Sequence, residues 1–205
     1  MASAAFPLFY FGPVLYYAAL AQHEEVAFEA WEHYPKQSFR NRCVIYGANG
    51  PLALSIPTER PRERVPVNRM RIAYGEDWQQ LHWRSLETAY RSSPYFEFYE
   101  DDLAPLFSEQ PVNLQAFTEA THRTVLRLLG WEQPFHYTDR YAEASGPDPR
   151  TSFPAKKTHP GAADLPEYAQ VFSPKFGFQP NLSILDLLCN EGPQASAYLR
   201  GIPAL

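Results

Sequence analysis

A chain of 205 residues, 45% hydrophobic and 20% charged, is long enough to bury a core without disulfides or a structural metal, and fits one domain over 1–205. Its net charge of -5 excludes a protein that coats nucleic acid non-specifically, so any anion site has to be a local concentration of cations. Cys43 and Cys189 each lie in an apolar run with no partner at metal-ligand spacing, which reads as two buried free thiols and suits a reducing cytoplasm.

The opening MASAAFPLFYFGPVLYYAALAQ has no Lys or Arg before Lys36 and is split by Gly12-Pro13. It lacks both the basic start of a signal peptide and the roughly 20 uninterrupted apolar residues of a membrane span. It therefore reads as core. Residues 6–11 suit a short buried strand, Gly12-Pro13 a turn with proline at the first helical position, and 14–22 a short helix. Residues 25–30 alternate as a strand does, which completes the strand-helix-strand opening of an α/β domain.

Residues 43–46 and 52–56 flank Gly47-Ala48-Asn49-Gly50-Pro51, a hairpin signal, and Leu52, Leu54 and Ile56 share one face by period two. A further strand is expected at 67–73, after a charged, proline-bearing loop at 59–66. The period then changes. At about 100° per residue from Trp78, Leu81, His82, Ser85 and Ala89 form one stripe with Arg84 and Arg91 opposite, an amphipathic helix. A second helix is expected at 95–107 and a third at 114–129, with Gly130 as its C-terminal stop. Residues 140–166 hold five prolines, two glycines and no apolar periodicity, so they read as a long functional or disordered loop within the domain. Ser183 followed by Asp186 resembles a capping box that opens a last helix. The expected architecture is a small sheet, strand-helix-strand plus hairpin, packed with several helices.

Several chemistries have no support. The ten glycines form no phosphate loop, the six histidines show no H-x-x-x-H or H-E-x-x-H zinc spacing, and there is no G-x-S-x-G elbow. The sequence names no metal and no cofactor. What remains is the run Lys36-Gln37-Ser38-Phe39-Arg40-Asn41-Arg42, the helix carrying His82, and the C-terminal segment.

The ordered series PLFYFGPVLYY, KQSFRNRC, LALSIP, WQQLHWRSLETAYRSSPYFEFY, YAQVF and FGFQPNLSILDLLCNEGP resembles the WbqC-like protein family over nearly the whole chain. The resemblance implies a bacterial, cytoplasmic role near the synthesis of surface polysaccharide, the O-antigen. The chain departs from the commoner family pattern where Phe6-Pro7 replaces a Gln-Pro.

The residues give their own reading of a site. Lys36, Arg40 and Arg42, with the amides of Gln37 and Asn41 and the neighbouring Tyr34, suit a phosphate- or carboxylate-bearing small molecule, because guanidinium forks match those anions. The same cations could instead pair with Glu29, Glu32 or the acidic run at 100–102. His82 is either a satisfied core residue or a general base near Trp78, Glu87 and Tyr90. Asp186, one turn from Asn190, is either a helix cap or an acid, base or amine clamp. In the long loop Asp148, Arg150, Lys156 and Lys157 are candidates to close over a ligand, and Asn181 lies in the family-like C-terminal segment.

Two function classes fit. One is a transferase acting on a nucleotide- or lipid-linked amino sugar, with Lys36, Arg40 and Arg42 as phosphate clamp, Tyr10, Tyr34, Tyr95 and Phe96 as aromatic platforms, and His82 or a carboxylate as base. The other is a noncatalytic phosphate- or glycan-binding protein of the same pathway. They differ in one requirement: only the enzyme needs a titratable group beside the anion site.

Overall fold

In the computed structural model, residues 5–141, 143–144, 148–155 and 159–203 are described. The expected first strand reduces to one bridge, Phe6 parallel to Phe28, after which residues 7–13 run irregularly through the core. Phe11 takes a left-handed backbone (φ 41°), which breaks any continuing strand. Helix α1, Val14–Leu20, follows, buried at every position but Ala19. It has no cap of its own. Leu182 supplies its carbonyl to the Val14 N–H at 3.0 Å, and Asn181 Oδ1 accepts from Leu15 N at 2.9 Å.

The chain turns back as β1, Val26–Phe28, which pairs in parallel with the distant β4, Phe135–Tyr137. The hairpin forms β2, Arg42–Gly47, and β3, Gly50–Ser55, with Gly47 opposite Gly50 and Ala48-Asn49 as its two-residue turn. Leu54 and Ile56 are buried as their alternation requires, whereas Leu52 is 41% exposed because it lies toward the turn end of the hairpin. The strand expected at 67–73 is instead a 3₁₀ turn, Val67–Arg69, followed by isolated bridges, Arg71 to Asn113 and Ile72 to Thr58. An apolar alternation without a continuous partner makes bridges, not a ladder.

Helix α2, Trp78–Tyr90, starts at an Asp77 cap that accepts from Gln80 N. Its inner face is Trp78, His82, Leu86, Ala89 and Tyr90, while Leu81 is 62% exposed. The real stripe thus follows i, i+4 steps from Trp78, one notch round from the expected one. Helix α3, Phe96–Leu103, runs into a 3₁₀ turn, Ala104–Phe107, and α4, Leu114–Leu129, is capped by Asn113 and ended by left-handed Gly130. The described parts of 140–166 are not structureless. They hold α5, Pro149–Ser152, and a 3₁₀ turn, Pro160–Ala162, and they bury Arg150, Phe153, Ala162 and Leu165. Phe153 packs edge-on against Tyr16 and Phe9, so isolated apolar residues anchor a segment that shows no period. Lys156 and Lys157 lie outside the described residues.

The chain closes with α6, Ser173–Phe176, α7, Ile184–Glu191, and α8, Gln194–Gly201. Gly192, between α7 and α8, has φ +53°, and a Cβ there would overlap the Tyr95 ring. Gly192→Ala is expected to cost about 2–5 kcal/mol, from left-handed strain plus overpacking. Gly75→Ala, where a Cβ would meet nothing within 4 Å, should stay near wild type. Urea denaturation of the two variants checks the contrast.

Candidate anion-binding cleft

Two loops come together on one side of the hairpin. The stretch 30–34 is tied to 65–68 by backbone bonds from Tyr34 N to Val65 O, Val67 N to Glu32 O and Asn68 N to Ala30 O. The base of β2 is tied to the residue after β3 by Ile56 N to Asn41 O and by Asn41 Nδ2 to Ile56 O. Between these ties opens a cleft of about 970 Å³. Five cations line it, Lys36, Arg42, Arg60, Arg62 and Arg64, against two carboxylates, Glu59 and Glu63. Glu59 is committed to Arg71 at 3.3 Å, and among the described residues none of the five cations is within ion-pair distance of a carboxylate. A chain of net charge -5 therefore carries a locally positive depression.

Of the residues expected at the site, Tyr34, Lys36, Gln37, Asn41 and Arg42 line this cleft. Arg42 Nε donates to Ser55 Oγ at 3.0 Å, which fixes the guanidinium on the hairpin. Burial raises the Tyr34 phenol, against a bond with Thr58 and the nearby Arg40 and Arg42 charges. Asn41 Nδ2 donates to Ile56 O, while Asn41 Oδ1 is buried with no hydrogen-bond partner among the described residues.

Arg40 departs from the expected clamp. It turns inward, 4% exposed, with Nε 2.5 Å from Glu32 Oε1 and its guanidinium 5.6 Å from the Phe9 ring centre. Arg150 is buried too and meets Glu29 Oε2 at 3.1 Å and Asp148 Oδ1 at 2.8 Å. Glu29 also accepts from Trp31 N and Thr138 Oγ1. Desolvation raises the Glu32 carboxyl, with Arg40 as the main opposing influence. These are interior ion pairs: Arg40 takes the Glu32 pairing that the sequence offered as the alternative for its cluster, whereas Glu29 is met by Arg150, a residue expected to close over a ligand.

Neither expected catalytic group lines the cleft. His82 is 2% exposed, its Nδ1 2.9 Å from the Tyr10 hydroxyl, with the Ser55 backbone as its other partner. Burial pulls its pKa down to about 4, so it is a neutral core histidine at pH 7. Asp186 is fully buried and does not form the expected capping box. Ser183 Oγ accepts from Leu185 N, while Asp186 Oδ2 accepts from the Tyr168 hydroxyl and Gln170 Nε2, each at 2.7 Å. Burial pushes its pKa up to about 6, and the Tyr90 hydroxyl faces the same carboxylate. Tyr10, Tyr90 and Phe96 are core rings, and Tyr95 packs against Gly192. Asn181 lies at the start of α1, away from the cleft lining.

Sequence reasoning missed Arg60, Arg62 and Arg64, whose signal was the run ERPRER at 59–64, and His33, which also lines the cleft. It also missed His122, buried among Tyr17, Phe28 and Phe135 with a pKa lowered by burial to about 3. No group of three or more His, Cys, Asp or Glu among the described residues is placed to hold a metal. No described helix is long and apolar enough to cross a membrane.

The chain belongs to the WbqC-like protein family, whose family model matches residues 9–153. That span includes the hairpin, both cleft loops and α2 through α4. The chain is also 28% identical over 196 residues to the uncharacterized protein Rv1507c of Mycobacterium tuberculosis, covering 82% of this chain and 84% of that one. No solved structure matches it.

Two outcomes separate the buried charges from the cleft charges. Arg40→Ala strands the largely desolvated Glu32 and is expected to cost about 3 kcal/mol in denaturant melts. Arg42→Ala, at a half-buried position whose side chain bonds a serine hydroxyl and no carboxylate among the described residues, should change stability by about 0.5 kcal/mol or less. For Asp186, the folded chain holds a proton more tightly than the unfolded one. Its contribution is therefore complete below about pH 4 and is lost as pH rises through about 6, some 3 kcal/mol in all. Asp186→Asn is expected to remove that slope, measured as the difference in unfolding free energy between variant and wild type from pH 4 to 7.

Proposed function

We propose that the protein is a cytoplasmic binder of a phosphate- or carboxylate-bearing small molecule, held in the cleft between the 33–42 and 58–65 loops. The observation that carries this reading is five cations converging on one cleft in an acidic chain, none of them ion-paired among the described residues. Guanidinium groups on opposite walls suit a diphosphate, which offers acceptor oxygens along its length. In the surface-polysaccharide setting that family membership suggests, a nucleotide- or lipid-linked sugar carries such a diphosphate.

The binding reading is preferred to the transferase built on His82 or Asp186, because neither of these lines the cleft; an enzyme at this site would have to use a group that does, such as His33. Isothermal titration with inorganic pyrophosphate and with a uridine-diphosphate sugar tests the proposal. Arg62→Ala and Arg64→Ala are each expected to weaken binding about tenfold, the loss of one charge-assisted hydrogen bond, without moving the melting temperature. Affinity should fall with added salt. Equal affinity in wild type and both variants would show that the cleft is not the site.

A further inference from the structure

The 58–65 loop, which carries Arg60, Arg62 and Arg64, begins and ends on one residue of the opposite loop. At its end, Tyr34 N donates to Val65 O at 3.0 Å. At its start, the Tyr34 phenol bonds the Thr58 side chain. The tyrosine ring therefore lies across the base of the loop, and the three arginines sit on the stretch of chain that arches between its two attachment points. Both attachments are themselves anchored, since Glu59 N donates to Arg71 O at 3.0 Å and Pro66 bridges to His33. The ring is half-buried: it packs on the core, as Val65 does, and lines the cleft. Met70, 3% exposed, belongs to the same lining. The cleft thus has two chemically different parts, an aromatic and apolar base formed by Tyr34, Val65 and Met70, and a cationic loop that springs from it.

From this juxtaposition we infer that the anion held in the cleft is the diphosphate of a nucleotide, whose base stacks on the Tyr34 ring while the diphosphate lies against the guanidinium groups. The inference rests on the anion-cleft reading above and narrows it from nucleotide- or lipid-linked ligands to the nucleotide-linked class. A cleft of about 970 Å³ is at the upper end of the range for pockets that take whole small-molecule ligands, so a diphosphate alone leaves most of it to another part of the ligand. A planar base is served by both parts of the lining, because it stacks on aromatic faces and on guanidinium planes and its edge accepts hydrogen bonds. An alkyl chain is served less well, because laying it across this lining takes water from arginines that it cannot bond. Tyr34 suits the platform role because its backbone and its hydroxyl are both tied. The ring is fixed before a ligand arrives, which lowers the ordering cost of binding.

The test is isothermal titration of the full chain with inorganic pyrophosphate, uridine diphosphate, adenosine diphosphate and geranyl diphosphate, the last carrying the same anionic group as the nucleotides on a lipid chain. The better-bound nucleotide is expected to exceed both pyrophosphate and geranyl diphosphate in affinity by at least about tenfold, within the range of one base–aromatic stack. Tyr34→Leu keeps an apolar side chain but removes the ring, and should erase that advantage while leaving pyrophosphate affinity within about twofold. Tyr34→Phe keeps the ring and drops the bond to Thr58, and should retain the advantage, which a purely loop-tying role of Tyr34 would not predict. Circular dichroism melts show whether each variant folds. Saturation-transfer NMR with the better nucleotide reads the same contact on the wild type, where the base protons should be saturated more strongly than the ribose protons. Failure of all four diphosphates to bind would overturn the cleft reading and this inference with it. Pyrophosphate binding without a nucleotide advantage, geranyl diphosphate binding as tightly as the nucleotides, an undiminished advantage in a folded Tyr34→Leu, or weaker saturation of base than of ribose protons would each overturn the nucleotide inference alone.

Discussion

Burying an irregular backbone is the constraint on which the rest of the structure depends. Residues 6–13 cross the core without forming a strand, yet their side chains are almost wholly sealed from water. Each buried N–H and C=O there needs a partner, since an orphan costs about as much as a lost hydrogen bond. The partners come from far along the chain. Phe6 exchanges bonds with Ala27 and Glu29, Tyr10 N reaches Phe39 O, Gly12 O receives Ile184 N, and Phe11 O receives the Ser183 hydroxyl. One aromatic segment thus fixes β1, the cation-bearing loop and the start of α7 around itself.

That arrangement sorts the charges. Tying Phe39 to Tyr10 turns the adjacent Arg40 inward over Phe9 and onto Glu32, while Lys36 and Arg42 stay on the outer side. The inner pairs are structural: breaking one strands a desolvated partner, so they act on stability and not on ligand affinity. The outer cations lack carboxylate partners among the described residues, which leaves them available to a soluble anion. Arg40 and Arg42 are two residues apart and do opposite jobs.

The buried titratable groups follow the same logic. His82 with Tyr10, and Asp186 with Tyr168 and Gln170, are polar nodes whose hydrogen bonds are met mostly from within. Burial moves both toward neutrality, His82 downward and Asp186 upward. A group so enclosed specifies how elements pack. Gln170 shows this, holding Asp186 with its amide and bonding the Gln179 backbone with both ends of the same side chain.

Local pattern alone determined much of the fold. The Asn113 to Gly130 helix, the Ala48-Asn49 hairpin, the Trp78 helix and the buried free cysteines were legible because caps, turn residues and periodicity act within a few residues of one another. The basic run at 36–42 was legible as a candidate anion site for the same reason, a density of cations in a short window. Other features depended on partners distant in sequence. The parallel pairing of β1 with β4 and the failure of a strand at 67–73 turn on whether a neighbour is available, which no window of the chain contains. Only the tertiary structure brought Arg60, Arg62 and Arg64 across from Arg42, took Arg40 out of the site, and enclosed His82 and Asp186. The direction a charged side chain faces is set by which segment covers it, and in this chain that was decided by the distant hydrogen bonds of a buried, strandless backbone.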